Sequence, residues 1–166
     1  MPHIEDCLEQ LKNVPDSICK DRELVELALW FHDVIYDPKR GDNESASAYL
    51  AAEWLAEINV APSKIERVKQ LIQITNHRGE PQNPGEELIV DIDLSILGRN
   101  ADYYERYAAA IRQEYAHVPD AEYRESWASI LRGFLDREWI FRTELFRVKY
   151  EATARKNIES EIRSPV

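Results

Sequence analysis

Leu88-Ile89-Val90-Asp91-Ile92-Asp93-Leu94 is the stretch on which the fold class turns. Its β-branched residues suit a short strand. A lone strand leaves its backbone N–H and C=O groups unsatisfied, and no second strand-like run is evident to pair with it. The segment is therefore expected to be a helix ending near Gly98, with that glycine as its C-cap. With this run helical, the expected architecture is all-α: a single-domain bundle of about seven or eight helices over residues 1–166.

Outward from that run the apolar spacing is also helical. Ala46, Leu50, Trp54 and Ile58 recur every four residues, and Ile65, Val68 and Ile72 continue a three-and-four pattern. Ser63 and Glu66, after Pro62, have the form of a capping box. Tyr104, Ala108, Ile111 and Tyr115 make another stripe. Tyr123, Trp127, Ile130, Leu131 and Phe134 make the next, with Asp120 as the expected N-cap. Glu144 to Arg163 reads as a charged helix with a narrow apolar seam, and Gly79 to Gly85, with Pro81 and Pro84, as an irregular connection.

Composition narrows the function classes. The 166 residues carry 31 acidic and 21 basic side chains, a formal charge of −10. That sign argues against an extended nucleic-acid or anionic-membrane surface, since both need a basic footprint. An apolar fraction of 44% supports a packed core. No apolar run approaches the roughly 18 residues of a membrane span. The start, MPHIEDCLEQL, has no basic-then-apolar signal segment. Cys7 and Cys19 make no disulfide framework, so a reducing cytoplasm is the expected compartment. The aromatics Trp127, Phe134, Trp139, Phe141 and Phe146 read mostly as core, with some available to a homodimer surface.

Residues 22–36 carry the most informative polar anomaly. Leu24, Val25, Leu27, Ala28, Leu29, Trp30, Phe31, Val34 and Ile35 cover nearly every direction around a helix, so a central, buried helix is expected. Within it His32 is followed directly by Asp33. Burying an unpaired carboxylate costs several kcal/mol, so Asp33 must be neutralised or paired. A divalent ion taking both side chains would do this. A helix-end pair bonded to nearby backbone or to an arginine would do it too, and the two residues alone leave both readings open. Further candidates are His3, the carboxylates Asp91 and Asp93 in their apolar run, and His77 after the helix that begins near Ser63. His117, before Pro119 in a polar turn, is given no role.

A histidine, a His-Asp pair and a distant Asp, in that order on helices, resemble the HD superfamily of metal-dependent phosphohydrolases. The longer strings resemble its predicted bacterial phosphohydrolase branch. These are LALWFHDVIYDPKRGDNE (Leu27 to Glu44), DIDLSILG (Asp91 to Gly98), the segment Arg137 to Phe141, and Glu151 with Ala154-Arg155-Lys156-Asn157. The resemblance spans essentially the whole chain. It implies an HD-like fold with His3, His32, Asp33 and Asp93 as metal ligands and Asp91 orienting a ligand or water. It implies a substrate contact or second-metal role for His77, phosphate contacts from Lys39, Arg40 and Arg78, and acid/base work for Glu44. Mixed imidazole and carboxylate ligation suits Mn²⁺, Fe²⁺, Co²⁺ or Ni²⁺, with Mg²⁺ as a further choice.

The chemistry so implied is hydrolysis of a phosphate ester of a small metabolite, with nucleotides as the named class. The ion supplies an activated water and charge neutralisation, and a nearby acid such as Asp33, Asp91 or Glu44 handles the leaving group's proton. Relatives carry more chain, with an aromatic and another histidine, ahead of the first ligand. Here His3 follows Met1 and Pro2 directly, so a domain lacking its front edge is expected, with a first ligand that must be tied down to stay ordered. Two rival readings follow: an HD-like domain that binds metal or nucleotide without turnover, and a helical interaction module whose polar groups are satisfied internally.

Overall fold

The computed structural model describes residues 2–163. Among them are eight α-helices, one 3-10 turn and no strand: α1 (Pro2–Lys12), α2 (Arg22–Phe31), α3 (Asn43–Glu57), α4 (Pro62–Ile74), α5 (Pro84–Leu94), the 3-10 turn Ser95–Gly98, α6 (Ala101–Glu114), α7 (Asp120–Leu135) and α8 (Glu144–Arg163). The all-α expectation holds, and α8 takes the bounds that its charge and apolar seam predict. The Leu88–Leu94 run is helical. No helix among the described residues is long and apolar enough to cross a membrane. The chain divides into two compact units that part between Asp93 and Leu94.

In the first unit α3 packs on α4, and α2 packs on α4, α1 and α3. Small and branched side chains make these seams: Ala48, Ala51 and Leu55 on α3, Val25, Ala28 and Leu29 on α2, and Val68, Leu71 and Ile72 on α4 are all buried. At about 1.5–3 kcal/mol for each fully buried aliphatic side chain, these seams supply much of the unit's driving force. The every-four stripe predicted on α3 is not the packed face. Trp54 and Ile58 stand 53% and 71% exposed, because the helix turns its small residues to α4 to allow close approach. α3 closes in a Schellman arrangement instead. Asn59 takes φ 58°, with its N–H on Ala56 O (3.0 Å) and the Val60 N–H on Leu55 O (3.0 Å).

The helix buried on every side is α5, not α2. Leu88, Ile89, Asp91 and Ile92 are all fully buried, with Val90 and Leu94 nearly so. α2 ends at Phe31, and Trp30, Val34 and Tyr36 are exposed. His32 is consequently the C-cap residue of α2, and Asp33 lies in the turn beyond rather than inside a helix.

Start signals also fall elsewhere than expected. α4 begins at Pro62 with no side-chain cap, so Ser63 and Glu66 form no capping box. The reciprocal pair sits at α5: Asn83 Oδ1 accepts from the Glu86 N–H (3.1 Å), and Glu86 accepts from Asn83 Nδ2 (2.6 Å) and the Gln82 N–H (2.7 Å). Gly85 therefore belongs to α5, not to the connection before it.

The second unit is organised around α8, which packs on the 3-10 turn and on α7; α6 also packs on that turn. Phe141, Phe146 and Tyr150 form an aromatic cluster with ring centroids 5.7–6.3 Å apart. Of the expected aromatic core, Phe141 and Phe146 are buried while Trp139 is 44% exposed. Ile130 is exposed as well, so the buried line on α7 runs through Tyr123 and Leu131. Asp120 is the first helical residue of α7, with Pro119 in the cap position. Gly98 is no left-handed cap, since no described glycine has positive φ. Its lack of a side chain serves packing: a Cβ there would lie 2.5 Å from Tyr150 Cβ.

Candidate metal centre

The centre lies in the first unit and draws on α1, the end of α2, the turn after α4, and α5. α1 begins at Pro2, and its first turn carries His3; one turn later on the same face comes Cys7. The His3 side chain is tied down as its position near the start requires, with Nε2 2.8 Å from Asp93 Oδ1. His32 sits at the end of α2, where its Nδ1 meets Leu29 O at 2.8 Å. That bond leaves Nε2 as the free donor atom for a cation. His77 lies just past α4 in a left-handed conformation (φ 55°), uncommon for a residue with a side chain, and its Nε2 reaches Asp93 Oδ2 at 2.8 Å.

Asp93 is thus the hub. One oxygen faces His3 and His32 and the other faces His77. His32 Nε2 stands 3.4 Å from Asp33 Oδ2 and 3.6 Å from Asp93 Oδ1. Neither approach is a hydrogen bond, so this atom is buried without one, in a residue only 2% exposed. A buried polar atom lacking a partner calls for an explanation, and a capacity to ligate an ion is a standard one. His3 and His32 meet edge-on with centroids 5.4 Å apart. The Cys7 sulfur lies 3.7 Å from His3 Nε2.

One donor atom each from His3, Cys7, His32 and Asp93 falls within 4.8 Å of the others, a group able to hold a metal ion. The residues fit such an ion: two imidazoles, a thiol and a carboxylate are all common ligands of divalent transition metals.

Electrostatics couple these groups tightly. Burial disfavours the imidazolium of His32, but Asp93 and Asp33 beside it outweigh that and push its pKa from 6.5 up to about 9. His3 is raised by Asp93 against a similar burial cost. Burial would lift the Asp93 carboxyl, yet His3, His32 and His77 hold it well below the usual carboxylate range. Asp33 moves up, through burial and the like charges of Asp93 and Glu44. Burial also pushes the Cys7 thiol up, reinforced by Asp93, Asp6 and Asp33. Protons on imidazoles therefore stand in this centre where a cation can.

The other residues singled out in the sequence are distributed around this group. Asp33 is adjacent to His32 but outside the four-donor group. Asp91 is fully buried in α5, two positions from Asp93, so the two carboxylates leave the helix in different directions. Glu44 is half-buried in the first turn of α3. Lys39 and Arg78 are exposed on connecting turns. Arg40 is exposed as well and paired in two-point fashion with Asp42, at 2.9 and 3.0 Å. His117 is exposed, stacked on Tyr115.

Sequence reasoning missed Cys7. Its signal was the four-residue spacing from His3, which brings two donors to one helix face, but a buried cysteine reads equally well as a small apolar core residue. No protein-family pattern, curated protein or solved structure matches this chain.

Proposed function

We propose that this protein is a metal-dependent phosphohydrolase acting on a phosphate ester of a small metabolite, a nucleotide being the leading class. The observation that carries the reading is the convergence of His3, His32 and Asp93 from three separate helices on a buried imidazole nitrogen that lacks a hydrogen bond. The order and type of these residues are those that the HD resemblance implies, and that resemblance supplies the reaction class.

In this reading His3, His32 and Asp93 hold the ion, with Asp33 beside them. A bound divalent ion supplies Lewis-acid polarisation of phosphoryl oxygen and a more acidic water. The chain's own contributions are distinct. His77 fixes the rotamer of Asp93 through its second oxygen, and the Leu29 carbonyl fixes His32. Asp33, part exposed and with its pKa raised, is placed to exchange a proton with a leaving oxygen. Lys39 and Arg78 are the cations best available to phosphate, since Arg40 is engaged by Asp42.

The test is a screen of nucleotides and generic phosphate esters for release of inorganic phosphate, with Mn²⁺, Co²⁺ or Zn²⁺ added to metal-free protein. Metal-dependent release by the wild type, lost in Asp33→Asn, is the expected result. A protein that holds stoichiometric metal yet releases no phosphate from any ester sinks the hydrolase reading. One observation favours a second reading, a metal centre without turnover: four protein donors converge here, and closed four-ligand sites are the structural kind, whereas catalytic ones keep a position open.

A further inference from the structure

We infer that Cys7 is itself a ligand, as the thiolate, and that the centre therefore selects zinc or another thiophilic divalent ion over magnesium and manganese. This inference rests on the metal reading of the site and adds to it the identity of the fourth donor and the class of ion.

Three observations carry it. First, Cys7 and His3 leave α1 from one face a single turn apart, so one helix presents both donors with no rearrangement. Second, the spacings approach those of a tetrahedral site. With ligand bonds of about 2.0–2.1 Å to nitrogen or oxygen and about 2.3 Å to sulfur, tetrahedral angles put sulfur about 3.6 Å from an imidazole nitrogen and nitrogen about 3.3 Å from oxygen. The Cys7 sulfur is 3.7 Å from His3 Nε2, and His32 Nε2 is 3.6 Å from Asp93 Oδ1. The 2.8 Å contact between His3 and Asp93 has to open by about half an ångström on the same bond lengths, and the remaining pairs of the group lie within 4.8 Å. Third, His32 Nε2, the buried nitrogen without a hydrogen bond, belongs to the same four-donor group as this sulfur.

Charge supports the same donor set. Cys7 is 1% exposed, and its S–H meets only distant partners, the His3 ring nitrogens at 3.7 and 3.9 Å and Ile92 O at 4.0 Å. When a divalent ion binds, the S–H proton leaves to solvent and a metal–sulfur bond forms. Two neutral imidazoles, one thiolate and one carboxylate then cancel the ion's two charges, leaving no net charge to bury. Thiolate ligation is also what distinguishes thiophilic ions from the hard, oxygen-preferring Mg²⁺ and Mn²⁺.

Cobalt(II) added to the metal-free full chain reads out the sulfur directly. The expected spectrum has a near-ultraviolet thiolate-to-cobalt charge-transfer band and strong visible bands of a tetrahedral ion, both displaced by Zn²⁺ and unaffected by a large excess of Mg²⁺. Cys7→Ser is expected to lose the charge-transfer band while still binding cobalt at least tenfold more weakly, with its helical circular dichroism intact. Cobalt bound stoichiometrically to the wild type without that band overturns the Cys7 assignment and leaves the metal reading standing. Failure of both cobalt and zinc to bind the wild type overturns both. The wild-type spectrum decides the matter even if Cys7→Ser does not fold.

Discussion

Both units bury charged side chains, and they close them in opposite ways. In the second unit Glu151 accepts from the backbone N–H groups of Ile140 (3.1 Å) and Phe141 (3.2 Å) and from Arg155 Nε (2.8 Å). Asn157 donates to the carbonyls of Leu97 and Arg99, each at 2.8 Å. Glu161 takes the Tyr104 hydroxyl and Trp127 Nε1. Each of these side chains finds its partners in its own unit. In the first unit three imidazoles crowd one carboxylate, and His32 Nε2 has no hydrogen bond at all. Tyr123 Oη and Ser95 Oγ in the second unit also lack hydrogen bonds, so what sets the first unit apart is that its orphan nitrogen stands among four donors able to hold an ion.

Removing the hub tests this contrast most severely. Asp93→Ala is expected to abolish metal binding and to cost about 3–5 kcal/mol of stability, since breaking a buried ion pair strands its partners. Metal analysis and urea unfolding check both parts, and a variant that keeps stoichiometric metal would end the site assignment. Its counterpart in the second unit, Glu151→Ala, is expected to cost about 2–3 kcal/mol, because buried backbone N–H groups lose their acceptor. Its metal content should be unchanged, and a fall in metal would erase the distinction between the two regions.

Smaller but diagnostic is the response to pH. His32 has a folded-state pKa near 9 against an ordinary 6.5. In the ion-free protein its charged form is thus stabilising in full below about pH 6.5, and that contribution is lost as pH rises through 9. Metal needs the neutral ring, so the affinity must move the other way. Calorimetric titration with Zn²⁺ should show affinity rising at least tenfold across this window, whereas urea midpoints of the ion-free protein fall. Parallel movement of the two would separate His32 from the ion.

The legible parts of the molecule were those fixed by local pattern. A run of five buried residues without a pairing strand had to be a helix, and the apolar seam of the charged helix α8 marked its extent. His32 and Asp93 stood out because polar side chains interrupted apolar surroundings, whereas His3 was legible only through the ligand order that the HD resemblance implies. What local pattern could not show was which face meets which neighbour. Trp54 and Ile58 have perfect helical spacing, but the residues that α3 buries are Ser47, Ala48, Ala51 and Leu55. Nor could it tell a cysteine beside other donors from a core one, since the difference lies in Asp93, far along the chain on α5. Several motif residues in the second unit proved to hold chain segments together: Glu151, Arg155 and Asn157 all anchor backbone.

His3 and Asp93 are separated by 90 positions and yet touch. Among polymer constraints this is a long-loop clasp. A permanent cross-link over a loop of that length would withdraw about 4–5 kcal/mol of entropy from the unfolded chain. An ion shared by these two residues would act as a removable version of such a link, fastening the first helix to the last helix of its unit. Without the ion the His3–Asp93 contact alone would hold α1 at this point, so faster hydrogen exchange in the amides of that helix is the expected first sign of metal removal.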